Sequence, residues 1–186
     1  MGTTIVLIII VGVIVLLGGW LIGVYNMLIR GRNRVEEGWS DIEVQLNRRY
    51  DLIPNLVNTV KGYAKHEEGV FTKVTEARTR AMSAATPQEH AVAENMLSQT
   101  LKSLFAVAEA YPDLKASQNF HHLQSELVDA EDKIQAARRF YNGLVRKFNT
   151  HVQQFPTNLV AGLLGFKKYD FYDAPEVANA VPQVSF

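Results

Sequence analysis

The chain has 5 histidines and 19 carboxylates from which to build a catalytic or metal centre, and none stands at the required spacing. His66-Glu67-Glu68-Gly69-Val70 opens like the zinc-protease pattern H-E-x-x-H, but Val70 occupies the position of the second imidazole. A carboxylate-bridged di-iron bundle needs Glu-x-x-His pairs, whereas Tyr63, Pro87, Gln118, Asn119 and Phe148 stand three before the histidines. His121-His122 reads as a surface dipeptide, because adjacent residues point to different helix faces. His151, at a core-type position, reads as a satisfied or boundary histidine rather than a proton carrier. Gly162-Leu163-Leu164-Gly165-Phe166-Lys167 lacks phosphate-loop spacing, and G-x-G-x-x-G occurs nowhere. These residues predict no enzyme, no metal and no cofactor.

The elements that would carry such residues begin with an anchor. Ile5 to Val24 are 20 residues without a charge, followed by Arg30, Arg32 and Arg34. At 1.5 Å per residue that run spans ~30 Å as a helix, the thickness of a bilayer's hydrocarbon core, with Trp20 and Tyr25 placed for the interface. A cleaved signal peptide would need a cation before a shorter apolar core and a small-residue site after it, and Met1 to Thr4 carry none. Val6 stands where a myristoylation signal needs Ser or Thr. The expectation is one membrane crossing, with the arginines retained inside: cell (inner) membrane, N-terminus out, helical domain cytoplasmic. The absence of cysteine agrees with a reducing compartment. Equal numbers of cations and anions, 19 each, leave no electrostatic case for nucleic acid.

Beyond the anchor the periodicity is helical. From Ser117 to Phe155, apolar positions step by three and four through Phe120, Leu123, Leu127, Ala130, Ile134, Ala137, Tyr141, Leu144, Phe148, His151 and Phe155, which predicts one long packed helix. Val35, Trp39, Ile42 and Leu46 mark a helix leaving the membrane, with Pro54 expected to break or kink it near Asp51. A following helix is expected through Leu56, Val60, Tyr63, Val70, Val74, Ala77 and Ala81. Thr86-Pro87-Gln88-Glu89 reads as a capping box opening a helix with Leu97, Leu101, Leu104 and Ala108 inside. Connections this short make neighbouring helices antiparallel. The expected fold class is all-α: a single transmembrane helix over residues 1–29, then an elongated antiparallel three- or four-helix bundle over 30–164. An irregular aromatic- and Pro-containing tail follows over 165–186.

A dense polar block interrupts this pattern: Gln45-Leu46-Asn47-Arg48-Arg49-Tyr50-Asp51-Leu52-Ile53-Pro54-Asn55-Leu56-Val57, continuing through Lys61-Gly62-Tyr63-Ala64 to His66-Glu67. With Tyr111-Pro112-Asp113-Leu114-Lys115-Ala116, Tyr141-Asn142 and Phe155-Pro156-Thr157-Asn158, it resembles the LemA family over essentially the whole chain. That resemblance implies a single-pass bacterial membrane protein with a long-helix bundle and no established activity.

Arg48, Arg49, Asp51, Asn55, Lys61 and His66, with Glu131, Arg138 and Asn142 on the last helix, are the candidate polar network, fixing bundle register or forming an interface. In the tail, Phe166, Tyr169, Phe171 and Tyr172 are too many aromatics for a solvated segment, and with Phe186 they are expected to pack on a neighbouring copy or on their own bundle. Two functions follow as expectations. The first is a non-enzymatic, self-associating scaffold that organises or shapes the membrane surface, with the lipid bilayer and further copies as partners. The alternative is a regulatory adaptor for a membrane protease or signalling partner.

Overall fold

The computed structural model describes residues 2–172, which form helices and no strand. The order is α1 (Gly2–Tyr63), α2 (Glu68–Met82), α3 (Pro87–Glu109), the single turn α4 (Pro112–Lys115), α5 (Gln118–Gln153) and α6 (Thr157–Leu163). The chain clusters into two compact units. Among the described residues, the anchor unit comprises 2–39 together with Asn142–Tyr169, and the core unit comprises Ser40–Tyr141 with 170–172.

α1 begins as an apolar helix long enough to cross a bilayer, and its large side chains from Ile5 to Ile22 face outward. From Val24 onward one face becomes buried, in a seven-residue rhythm of Leu28, Val35 and Ile42 followed by Leu46, Ile53, Leu56 and Val60. This is the seam of a helix packed lengthwise on another.

Pro54 lies inside α1 and does not end it, so the break expected near Asp51 does not occur. Proline cannot supply the N–H that would bond the carbonyl four residues back, that of Tyr50. Arg78 on α2 supplies it instead, its Nε donating to the Tyr50 carbonyl oxygen at 2.7 Å. With that acceptor satisfied, the helix continues to Tyr63. The expected second helix therefore starts at Glu68 rather than at Leu56, and Tyr63 ends α1 as an exposed residue.

In the core unit α5 runs antiparallel to α1: Arg48 meets Glu126, and eleven residues later Thr59 meets Asn119. α2 and α3 pack on each other, and Val74, Ala81, Leu97 and Leu104 on them are buried. The cap of α3 forms as the sequence predicts: Glu89 N–H donates to Thr86 Oγ1 at 3.2 Å. The Glu89 carboxylate reaches one residue further back than expected, accepting from Ala85 N–H at 2.8 Å. α5 holds its predicted face from Phe120 to Tyr141, after which Val145 rather than Leu144 is fully buried and Phe155 lies exposed beyond the helix end. A 3.6-residue helix drifts against a strict seven-residue repeat, which moves the buried stripe by one position.

In the anchor unit α1 and the C-terminal part of α5 meet closely at Gly31, where a Cβ would lie 2.9 Å from the Phe148 ring. α6 then turns back. Its end is a Schellman motif: Phe166 N–H donates to Ala161 O at 2.9 Å, Gly165 N–H donates to Gly162 O at 3.3 Å, and Gly165 takes φ +72°. Only glycine adopts that backbone without strain.

Candidate functional site

Arg49 occupies the centre of the core unit, 3% exposed, and its charge is answered from two helices. Nη1 lies 2.9 Å from Glu94 Oε2 on α3 and 2.7 Å from Glu131 Oε2 on α5, and Nη2 donates to Ser98 Oγ at 2.8 Å. Glu94 is 1% exposed, and its second oxygen accepts from the Tyr50 hydroxyl. Burial first, and the Glu94 charge second, drive the Tyr50 phenol far above its ordinary range, so it remains a donor. A carboxylate this deeply buried is tolerated because both its oxygens are bonded, one of them to a cation.

Arg138, two turns beyond Glu131 on α5, lies 4.5 Å from the centre of the Tyr172 ring, and its Nη2 donates to the Tyr172 hydroxyl at 3.1 Å. Burial raises the Tyr172 phenol to about 12. The Tyr141 hydroxyl fixes the same segment by donating to the Asp170 carbonyl at 3.0 Å. At the rim, Arg48 bridges Glu126 at 2.6 Å and Asp129 at 2.8 Å. The hydrogen bond from Lys133 leads the effects that hold Asp129 below the usual carboxylate range, with Arg48 adding to it.

The structure thus joins Arg49 to Glu131, places Arg48 on a separate rim pair and Arg138 against the tail. Asp51, Asn55 and Lys61 on α1, and His66 in the turn after it, are exposed and take no part in the buried cluster. Asn142 is half-buried in the anchor unit. Glu94 was missed by sequence reasoning, along with buried His90 one turn before it. Both stand in the core register of α3 that continues through Leu97, Leu101 and Leu104, which is the signal that could have found them. Burial lowers the His90 imidazole below its ordinary value, favouring the neutral ring.

The tail aromatics pack on their own chain. In the anchor unit, Phe148 meets Phe166 at 6.5 Å and Tyr169 at 5.4 Å between ring centres, and Phe166 meets Tyr25 at 6.4 Å, all edge-on. Asn149 holds the segment after α6, residues 165–172 and here called the strap, from both sides: its Nδ2 donates to the Tyr169 carbonyl at 2.8 Å and its Oδ1 accepts from Tyr169 N–H at 2.9 Å. The Tyr169 hydroxyl donates to Glu36 at 3.0 Å; burial first, and that bond next, raise its phenol to about 12. Phe171 is half-buried in the core unit, and Phe186 lies outside the described residues.

Chemically, the buried cluster ties α1, α3 and α5 together through one guanidinium. Arginine does not give up its proton at usable pH, so Arg49 cannot act as a base. Among the described residues no three of His, Asp and Glu stand close enough to hold a metal ion.

An all-helical core on an N-terminal apolar helix long enough to cross a bilayer defines a membrane-anchored helical protein. The chain belongs to the LemA family, whose model matches residues 38–186. It is 27% identical over 157 residues to Protein LemA of Metamycoplasma hominis, covering 84% of this chain and 72% of that one. It is 25% identical over 174 residues to Magnetosome protein MamQ 2 of Paramagnetospirillum magneticum, and 23% identical over 174 residues to Magnetosome protein MamQ of Magnetospirillum gryphiswaldense. Each of those two alignments covers 80% of this chain but 64% of the magnetosome relative, less than two thirds of its length.

Proposed function

We propose that this protein is a non-enzymatic, self-associating scaffold that organises or shapes the membrane surface. The observation that carries this reading is the lipid-facing part of α1, where Gly12, Gly19 and Gly23 fall on one helical face with nothing within 4 Å of a Cβ built there. Such a face lets a second helix approach closely, and in a bilayer that approach is driven by packing. With Arg30, Arg32 and Arg34 held inside, the N-terminus is out and the helical core is cytoplasmic.

A second reading, the adaptor for a membrane protease or signalling partner, draws on an open groove of ≈600 Å³ between α3 and α5. Its walls carry Leu101, Phe105 and exposed Val128; Arg49 and Glu131 at its floor answer each other, which leaves Lys102 and Arg138 as the excess positive charge for an acidic partner segment.

Particle mass and shape of the full-length protein in mild detergent, by light scattering with electron microscopy, separate the two. A large regular assembly that Gly19→Leu with Gly23→Leu disperses is the expected result. A monomer or dimer in the parent protein overturns the scaffold and leaves the adaptor.

A further inference from the structure

The neutral total conceals a polarised chain. The anchor unit carries seven Lys and Arg residues against two Glu, while the chain as a whole balances to zero. Four of its basic residues converge. Arg30 and Arg34, one turn apart on α1, line a cleft of ≈120 Å³ with Lys147 and His151, one turn apart on α5. The other lining residues are Met27, Gly31, Leu144 and Phe148, so the cleft has a cationic rim, an apolar floor and no carboxylate.

A second observation lies on α6 of the same unit. Val160 and Ala161 face inward, while Leu159 is 63% exposed, Leu163 86% and Leu164 49%; Phe155, just before the helix, is 74% exposed. Solvent is a poor environment for four large apolar side chains on so short a segment. Their height along the anchor is fixed by the Schellman turn, which ties Phe166 to Ala161 and sets its ring against Tyr25, one residue past the apolar run. Thr157 Oγ1 secures the other end by donating to the His151 carbonyl. Lys167 and Lys168 follow, both exposed.

We propose that the anchor unit holds its membrane at a second point: α6 and its turn insert Leu159, Leu163 and Leu164 into the leaflet from which α1 emerges, and the Arg30–Arg34–Lys147–His151 cleft binds the phosphate of an anionic phospholipid. The commitment to a bilayer rests on continuity, because α6 is fastened at the level where the spanning segment ends. Apolar side chains beside lysines are the composition of a segment lying in the headgroup region. The cationic rim matches a phosphodiester, and the apolar floor matches the glycerol and first methylenes beneath it. This proposal is independent of self-association.

The full-length, naturally cysteine-free chain allows a single environment-sensitive fluorophore at Leu163→Cys, with Thr150→Cys on exposed α5 as control. Reconstituted in phosphatidylcholine vesicles containing phosphatidylglycerol, the probe at 163 shifts to the blue and is quenched by shallow spin-labelled lipid, while that at 150 is not. Water-like emission at both sites overturns insertion. Native mass spectrometry of the detergent-solubilised chain then compares phosphatidylglycerol, phosphatidylcholine and inorganic phosphate. Retention of phosphatidylglycerol falls by about tenfold or more in Arg34→Ala/Lys147→Ala, with phosphatidylcholine little changed. Equal retention by parent and variant, or occupancy by inorganic phosphate with no preference for the lipid, overturns the headgroup site. Unaltered helical content in the variant excludes misfolding as the cause of a loss.

Discussion

Replacing Arg49 by alanine removes the cation from Glu94 while leaving that carboxylate 1% exposed, still hydrogen-bonded to Tyr50. The two carboxylates respond unequally. Glu131 has a side chain 35% exposed and can turn toward water, so its loss of Arg49 costs little. Glu94 has no such exit. Breaking a buried pair by deleting one partner costs about 3–5 kcal/mol, a range that takes in the about 1 kcal/mol of the bond to Ser98. For a chain of this size the melting midpoint should fall by about 6–20 °C. The assay is thermal and urea unfolding of the full-length protein in detergent, followed by helical circular dichroism. Asp51→Ala, two positions along α1 but exposed, serves as control and should stay within about 0.5 kcal/mol of the parent. Arg49→Met combined with Glu94→Gln removes both charges while keeping volume. Its loss should be smaller than the sum of the single losses by about 1–3 kcal/mol. A midpoint unchanged in Arg49→Ala, or strict additivity in the pair, would refute the view that Arg49 acts by compensating Glu94.

Alkali should unfold the protein through its tyrosines. Tyr172 has its phenol raised from 10.0 to about 12 by burial, so the neutral form is favoured in the fold. Its contribution is complete below pH 10 and is lost as pH rises through about 12. Phenolate absorbance should show Tyr169 and Tyr172 ionising late, and their ionisation at the ordinary pH in the folded protein contradicts the packing of the strap. Gly31→Ala sets a helix-propensity gain of about 1 kcal/mol against an overpacking cost of about 1–3 kcal/mol at Phe148. Net destabilisation is expected, relieved when Phe148→Leu is added, and denaturant midpoints measure both. Gly165→Ala should cost about 1–2 kcal/mol at its φ of +72°. Faster hydrogen exchange confined to α6 and the following strap reports the loss, and unchanged protection there excludes a stabilising role for the turn.

Much of the fold is legible in the residues because packing along helices leaves a periodic trace. α5 from Phe120 to Tyr141 and the cap at Thr86 are local patterns, and they form where the sequence places them. Pro54 misleads because its rescue comes from Arg78, 24 positions away and on another helix, and no local pattern reports such a donor. In the candidate site, Arg49 stands inside the polar block yet in register with buried Ile42, Leu46 and Ile53, whereas Glu131 lies one position outside the α5 rhythm. Glu94 has the same signature as Arg49 but sits among alanines and polar neighbours on α3, where the rhythm is weaker. The four aromatics after Gly165 declare that they must be covered; which surface covers them depends on the turn at Gly165 and on Asn149, a distant partner.

The bond from Arg78 to the Tyr50 carbonyl also orders the routes by which this sequence can change. Losing Pro54 first returns an N–H to that carbonyl and frees Arg78 to vary. Losing Arg78 first leaves that part-buried acceptor without its donor for as long as Pro54 remains. The two positions are therefore coupled by order: losing Pro54 first is the milder route, and losing Arg78 first is the costlier one by about 1 kcal/mol, although both end at the same pair of residues.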